Sequence, residues 1–177
     1  YPEPTARIPA AATVLSSVSL GNGPAANLTG ALERAIGVAP LGTGGFSMVP
    51  TIRGMARNRI LILIDNARIA SDRRTGPSAS FVSVEDIDRV EVLRSPSSIF
   101  YGSDAIGGVI HIFTKSGRQE GIHGTVHAGY GTNGGHAEYG LALSGKKGPF
   151  SFYVSGQNNE AGTYDSPDGE VGQSQYG

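Results

Sequence analysis

The sequence predicts a fold in two parts, a small mixed α+β domain with short helices followed by a run of antiparallel strands. Residues 60–64 are continuously apolar, which is typical of a strand that is buried on both faces. Gly107 and Gly108 separate two further apolar runs, where the backbone can turn sharply or approach another segment closely. After residue 118, three segments alternate between apolar and small or polar side chains. This alternation indicates strands with one apolar and one polar face.

The composition limits the classes of function that the chain can have. A net charge of −1 over 177 residues gives no global attraction to nucleic acid, so nucleic acid is not an expected partner. The absence of cysteine excludes a disulfide framework and thiolate metal sites. The sequence has no stretch of 18 apolar residues, so no transmembrane helix is expected. Residues 1–4 lack the basic start and apolar core of a signal peptide.

The N-terminal elements follow from local signals. Residues 1–12 are rich in proline and alanine and predict an extended leader, and residues 13–18 predict a first strand. Asn27 is a suitable N-cap for a helix over residues 28–36, which Gly37 would end. The apolar face of this helix would consist of Leu28, Leu32 and Ile36.

The middle of the mixed domain alternates strands with polar loops. Residues 46–53 and 60–64 predict strands, and Asp65 with Asn66 predicts a tight turn after the second of them. Residues 70–80 predict a long polar loop. Ser83 predicts the cap of a one- or two-turn helix that carries acidic residues in its first turn, where the helix dipole stabilises them.

The end of the mixed domain has a strand, a short helix, a glycine hinge and a second strand. Residues 90–93 predict the first strand, and Pro96 suits the first position of a helix. Gly102 can end that helix in a left-handed conformation. Residues 109–114 follow the two glycines and predict the second strand.

Four motifs in series resemble those of one known family. They are TIRGM at 51–55, NRILILIDNAR at 58–68, VEDIDRVEV at 84–92 and the strand–helix–glycine–strand unit at 89–115. Together, residues 13–118 closely resemble the plug domain of TonB-dependent outer-membrane receptors. Ser95 and Asn66 stand where the family usually has glycine. Asparagine tolerates a positive φ, so Asn66 is the milder of the two departures.

The resemblance decides between two interpretations of the C-terminal strands. By periodicity alone they fit a soluble antiparallel meander with one buried face. Beside a plug domain they fit the wall of a transmembrane β-barrel. The resemblance therefore implies a leader at 1–12, a plug domain at 13–118 and the start of a barrel at 119–177. A barrel wide enough for this plug needs about 22 strands, so an incomplete receptor is expected.

The resemblance also implies two sets of functional residues. Arg53 and Arg94 match plug arginines that pair with glutamates on the inner barrel wall, and we name them the plug latch. The alternative is that both form ordinary surface or local ion pairs. Loops 41–47 and 70–80 should face the outside, with candidate ligand-binding residues Gly44, Phe46, Asp72, Arg73, Arg74 and Thr75. The alternative for the second loop is a solvated charged segment.

The expected function is import of a scarce solute across the outer membrane of a Gram-negative bacterium. By resemblance, the solute would be an iron chelate, haem or a cobalamin, and the partners would be TonB and outer-membrane lipid. The alternative is a stand-alone periplasmic binding module with a plug-like fold. No TonB-binding segment is identified, because residues 12–17 fit the first strand better.

The sequence predicts no enzyme, cofactor or metal site. No pattern brings together an acid, a base and a nucleophile. His123 and His127 have the spacing of a helical zinc pair, but they lie in a predicted strand and are expected to face the barrel lumen. Asp65 and Asp72 are too few ligands to predict calcium binding.

Overall fold

The computed structural model describes residues 12–21, 27–42, 48–69, 77–95, 101–131, 136–160, 164–166 and 169–171. The chain divides into two compact units, Tyr1–Thr114 and Lys115–Gly177. The predicted limits of the leader, plug and barrel start stay predictions. Within the described ranges, no helix combines the length and apolar character needed to cross a membrane.

The first unit is a mixed α+β domain, as predicted. Its strands are β1 (Ala12–Ser16), β2 (Val38–Leu41), β3 (Val49–Ile52), β4 (Ile60–Ile64), β5 (Ala67–Arg68), β6 (Ile87–Leu93) and β7 (Gly108–Thr114). Its helices are α1 (Ser17–Gly21) and α2 (Leu28–Ala31), with 3₁₀ helices at Leu32–Arg34, Arg57–Arg59, Val84–Asp86 and Ser103–Ala105. Five strands form one sheet in the order β1-β6-β7-β4-β5, and β2 pairs separately with β3. The β4–β7 pair is parallel, and the other pairs in this sheet are antiparallel.

The predicted helix over residues 28–36 is only partly correct. Asn27 is the N-cap, and its Oδ1 accepts a hydrogen bond from the Gly30 amide at 3.0 Å. However, α2 tightens into a 3₁₀ helix at Leu32, and Ala35 is already extended with ψ of 120°. Ile36 is therefore 80% exposed and does not share the buried face. The poor helix propensity of Gly30 and the turn towards β2 account for the early end.

The strand predictions are correct where the local pattern is strong. Strand β4 matches residues 60–64, and four of its five residues are buried. Asp65 and Asn66 have φ of +47° and +70° between the paired residues Ile64 and Ala67, as a type I′ turn requires. The first strand is shorter than predicted, because residues 17–21 are helical. Of the predicted strand 46–53, residues 49–52 form β3 and Phe46 lies outside the described residues.

Capping and glycine predictions in the second half are mostly confirmed. The Ser83 hydroxyl accepts from the Glu85 amide at 3.3 Å and caps a single 3₁₀ turn. Pro96 lies outside the described residues. Gly102 has a positive φ of +89°, but its ψ of −179° is extended, so the expected left-handed helical conformation is wrong. Gly108 has a φ of +140° and begins β7 in close contact with β6.

The five-stranded sheet has apolar side chains on both faces. One face packs beneath the helices and the β2–β3 pair, and Ile62, Val92 and Ile110 are fully buried there. The opposite face carries a smaller cluster that includes Leu61, Leu63, Leu93 and Val109. The continuous apolar run predicted this burial for β4, and the structure extends it to β7, whose residues 108–113 are all buried.

His111 is a buried polar residue on the second face of the sheet. It is 5% exposed, lies opposite Glu91 in the strand register, and its ring centroid is 4.0 Å from that of Phe113. Arg89 stacks on the same Phe113 ring and donates from Nε to Glu91 Oε1 at 2.9 Å. His111 Nε2 is buried and has no hydrogen-bond partner. Desolvation by burial lowers the pKa of His111, against the opposing effect of Glu91.

Stability of the first unit is expected to fall as the pH drops below 6.5. Because the pKa of His111 is lowered in the folded state, the unfolded chain binds more protons below the ordinary value of 6.5. The free energy of unfolding should then decrease by at most about 1.4 kcal/mol per pH unit until the folded-state pKa is passed. Urea titrations followed by circular dichroism at pH 7.5 and 5.5 measure this slope.

His111→Leu is the matched variant for this test. It should lose the slope between pH 7.5 and 5.5 and should be more stable than the original protein, because no unpaired nitrogen remains buried. An unchanged slope in His111→Leu would mean that other groups cause the pH dependence.

The second unit contains the three predicted antiparallel strands. These are β8 (Gly121–Gly131), β9 (His136–Lys147) and β10 (Phe150–Glu160), with β9 in the middle. A short hairpin, β11 (Tyr164–Ser166) with β12 (Gly169–Val171), follows and is not among the predicted strands. The register places Val126 beside Leu141, and Leu143 beside Val154.

The three-stranded sheet has one apolar face that is exposed. Large apolar side chains on this face are Ile122, Val126, Tyr130, Tyr139, Leu141, Leu143, Phe150, Phe152 and Val154. His123 and His127 alternate with them and lie in a strand, so their helical zinc spacing does not apply. Among the described residues, no cluster of three or more histidine or acidic side chains could hold a metal ion.

Candidate plug latch and loop bases

Arg53 lies in a tight turn that follows β3. The amides of Ile52 and Met55 each donate to the other's carbonyl at 2.9 Å, and Arg53 and Gly54 between them have φ of +51° and +76°. These are the signs of a type I′ turn, which Gly54 adopts without strain. A non-glycine residue in this conformation costs about 1–2 kcal/mol, so Arg53 is held there by its surroundings.

Arg53 and Arg94 meet at the same short segment of the chain. The Arg53 amide donates to the Gly37 carbonyl at 2.8 Å. Arg94 follows β6, and its Nη1 donates to the Ile36 carbonyl at 2.7 Å. A Cβ added to Gly37 would lie 3.7 Å from Arg53 Cγ and 3.9 Å from Arg94 Cδ. The stems of both predicted latch residues therefore flank Gly37.

This arrangement concentrates guanidinium donors at one corner of the first unit. Arg53 is exposed and Arg94 is half-buried. A guanidinium binds carboxylates in a bidentate geometry, and two of them side by side can hold two carboxylates. Gly37 has a φ of +80°, which a side-chain-bearing residue adopts only with strain. The turn that carries the Ile36 and Gly37 carbonyls thus depends on this glycine.

The predicted ligand-binding residues Gly44, Phe46, Asp72, Arg73, Arg74 and Thr75 lie outside the described residues. The structure does describe Met48, which follows the first loop, and Ser78, which lies near the end of the second. These two positions are in direct contact, since the Ser78 hydroxyl donates to the Met48 carbonyl. Local sequence patterns do not predict this contact, because the two residues are 30 positions apart.

A family model described as the TonB-dependent receptor plug domain matches residues 4–109. The chain belongs to this family. The resemblance seen in the four sequence motifs is therefore confirmed, and the family comprises receptors and transporters. Identification rests on the plug region, which includes both latch residues.

Curated relatives come from two named groups of proteins. The iron-regulated outer membrane virulence protein of Vibrio cholerae is 38% identical over 128 residues, or 68% of this chain. The vitamin B12 transporter BtuB of Vibrio vulnificus is 38% identical over 118 residues, or 66% of this chain. The chain spans about a fifth of the length of these curated relatives, 19% in both cases.

Solved structures share the fold of the chain. The copper transporter OprC matches with a TM-score of 0.76 at 22% identity, covering 90% of this chain and 26% of OprC. The siderophore receptor PirA of Acinetobacter baumannii matches with a TM-score of 0.66 at 25% identity, covering 87% of this chain and 25% of PirA. The predicted fold class, a mixed α+β plug followed by antiparallel barrel strands, is confirmed.

Proposed function

We propose that this chain is the plug and first barrel strands of a TonB-dependent receptor that imports a scarce solute through the outer membrane of a Gram-negative bacterium. Membership of the plug family is the observation that carries the proposal. Relatives named for iron regulation and vitamin B12 transport suggest an iron chelate, haem or a cobalamin as the solute. The energy would come from TonB, as force on the plug, and no catalytic step is required.

The exposed apolar face of the second unit supports a membrane location. Val126 is 82% exposed and Phe150 is 80% exposed, although both are large apolar side chains. Soluble monomers rarely expose a contiguous face of this kind, whereas the strands of a transmembrane barrel present it to lipid. In a stand-alone periplasmic module this apolar face would be exposed to water without a function. Transport is therefore the better-supported function.

The plug latch has a defined role in this proposal. Arg53 and Arg94 flank Gly37 and would bind glutamates of the inner barrel wall. Charge-assisted hydrogen bonds of this type are specific in geometry, but pairs accessible to water are each worth only a fraction of a kcal/mol to a few kcal/mol. A pull transmitted through TonB could therefore break them without a chemical step.

The two loops would form the ligand site at the outer side of the plug. Gly44 and Phe46 belong to the first loop, and Asp72, Arg73 and Arg74 belong to the second. Paired arginines beside the Thr75 hydroxyl suit an anionic ligand such as a ferric chelate. The proposal assigns these residues to solute binding.

Growth of a deletion strain tests the proposal. Ferric enterobactin, haem and cyanocobalamin are each supplied as the limiting source, and a strain without TonB is grown in parallel. We expect the deletion strain to lose growth on one source, and the strain without TonB to lose growth on that source as well. The intact gene should restore growth on this source only in cells that contain TonB. Unchanged growth of the deletion strain on all three sources would contradict the proposed solutes.

A further inference from the structure

The exposed face of the three-stranded sheet is apolar in the middle and has polar groups at both ends. Residues paired across the strands form rows on this face, and the middle rows carry only apolar side chains or glycine. These rows are Val126–Leu141–Gly156, Gly124–Leu143–Val154 and Ile122–Gly145–Phe152. The next row at one end contains Tyr139 and Asn158, and the next row at the other end contains Lys147 and Phe150. We name them the tyrosine end and the lysine end.

The tyrosine end has the character of a membrane–water boundary. Asn158 Nδ2 donates to the Tyr139 hydroxyl oxygen at 3.0 Å, so the two polar groups on this face satisfy each other. Tyr130 lies one row further out and is also exposed. Tyrosine has an apolar ring and a polar tip, and it is enriched where a protein passes from lipid to water.

The lysine end combines a positive charge with an exposed aromatic ring. Lys147 and Phe150 are paired across a short turn, in which Gly148 has a φ of +59°. Both side chains are exposed. Because side chains alternate along β9, Lys147 lies on the apolar face and Lys146 lies on the opposite face. A lysine at the edge of an apolar surface can lay its methylene groups along that surface and keep its ammonium in a polar layer.

The separation of the two ends fits the thickness of an outer membrane. Tyr139 and Lys147 are eight residues apart on β9, which corresponds to roughly 27 Å along a strand. A strand tilt of about 35–45° reduces this to about 20 Å along the membrane normal, and the apolar band of outer-membrane barrels is about 25 Å tall. Both side chains are long and have polar tips. Their hydroxyl and ammonium groups can therefore reach the two edges of such a band.

We propose that Lys147 and Phe150 form a binding site for the phosphate headgroup of a phospholipid. The Lys147 ammonium would bind the phosphate, and the Phe150 ring would pack against the beginning of the acyl chains. The turn between them is short, and barrels have their short turns on the periplasmic side, so the lipid belongs to the periplasmic leaflet. This site rests on the membrane location in the proposed function, but not on the identity of the solute.

Photolabelling of the intact receptor tests the site. The receptor is purified in dodecyl maltoside, which carries no phosphate, and titrated with phosphatidylglycerol that has a diazirine at the start of one acyl chain. Adducts on residues 145–155 are measured by mass spectrometry after proteolysis. In Lys147→Gln, half-maximal labelling should need about fivefold more lipid, since one lysine near a lipid phosphate is worth about 1 kcal/mol. Lys147→Arg should retain the original value.

Lys146→Gln is the matched control, because it removes the same charge from the neighbouring residue on the opposite face. It should leave the labelling of residues 145–155 unchanged. Equal effects of Lys146→Gln and Lys147→Gln, or no effect of either, would overturn the proposal.

Two further probes separate the phosphate headgroup from other sources of the same effect. Diacylglycerol with the same diazirine lacks the phosphate and should label the original receptor and Lys147→Gln equally. Inorganic phosphate at the concentration of the lipid should not compete with phosphatidylglycerol. A dependence of diacylglycerol labelling on Lys147, or full competition by inorganic phosphate, would contradict a phospholipid site.

Spin labels at Leu143, Ser144 and Lys147 test the membrane location independently. Each label is attached to the only cysteine of a receptor variant in lipid vesicles. Dissolved oxygen should reach the label at position 143, and a water-soluble nickel chelate should reach the label at 147 at least fivefold better. The label at 144, on the opposite face, should not show the oxygen contact of a lipid-facing position. Equal nickel contact at 143 and 147 would refute the membrane location itself, whereas a clear boundary with unchanged photolabelling would refute only the phosphate site.

Discussion

Gly108→Ala is expected to destabilise the plug by about 4 kcal/mol, because an added methyl group would clash with the neighbouring strand. A Cβ at this position would lie 2.4 Å from the Leu93 carbonyl oxygen and 2.9 Å from Ile52 Cδ1. The isoleucine methyl group can move, but the carbonyl belongs to the neighbouring strand β6. The φ of +140° adds backbone strain of about 1–3 kcal/mol to this clash.

The measurement is a urea titration of the intact protein followed by hydrogen exchange of the β7 amides. Gly102→Ala is the matched control, since Gly102 also has a positive φ, of +89°, but nothing lies within 4 Å of an added Cβ. It should cost only about 1–3 kcal/mol, from the backbone alone. Equal costs for the two variants would mean that β6 and β7 can separate to admit a side chain.

Reversing both charges of the plug latch is expected to raise entry of a large antibiotic at least tenfold. In the variant with Arg53→Glu and Arg94→Glu, carboxylates would face the proposed wall glutamates, and attraction would become repulsion. Each lost charge-assisted pair is worth about 1.5–3 kcal/mol at most when shielded from water, so two losses favour a displaced plug by a factor of ten or more. The increase should not require TonB.

Uptake of vancomycin by a strain without TonB measures this opening. Arg57→Glu with Arg59→Glu is the matched control, because it makes the same change of charge on exposed residues of a neighbouring 3₁₀ helix. Receptor amounts in the outer membrane are compared by immunoblot. If the latch variant and the control admit the antibiotic equally, Arg53 and Arg94 do not hold the plug in place.

Local patterns predicted much of the fold. The continuous apolar run of β4, the turn residues Asp65 and Asn66, and the caps at Asn27 and Ser83 were all identified correctly. The turn and the caps depend on contacts within a few residues, and the burial of β4 is indicated by its own uninterrupted apolar run. Ile36 was assigned to the wrong environment, because periodicity cannot show that a helix tightens and ends one turn early.

The site could be predicted only in part, because its geometry is non-local. The motifs identified Arg53 and Arg94, but not that both flank Gly37, nor that Arg53 adopts a positive φ. The contact between Ser78 and Met48 gave no local signal, since the two residues are 30 positions apart. Small hydroxyl residues where a polar loop returns to an apolar core are the pattern to search for in other sequences.

Strand β7 is central in its sheet and ends at Thr114, the last residue of the first unit. Asp65 accepts hydrogen bonds from both the amide and the hydroxyl of Thr114, at 3.0 and 2.6 Å. Strand β1 lies at the edge of the same sheet. If the proposed pull acts on the chain before β1, we expect this edge strand to separate first while the central strands stay paired. What remains would act as a template on which the removed strand can pair again. Opening could thus be repeated through many cycles without rebuilding the domain from a disordered chain.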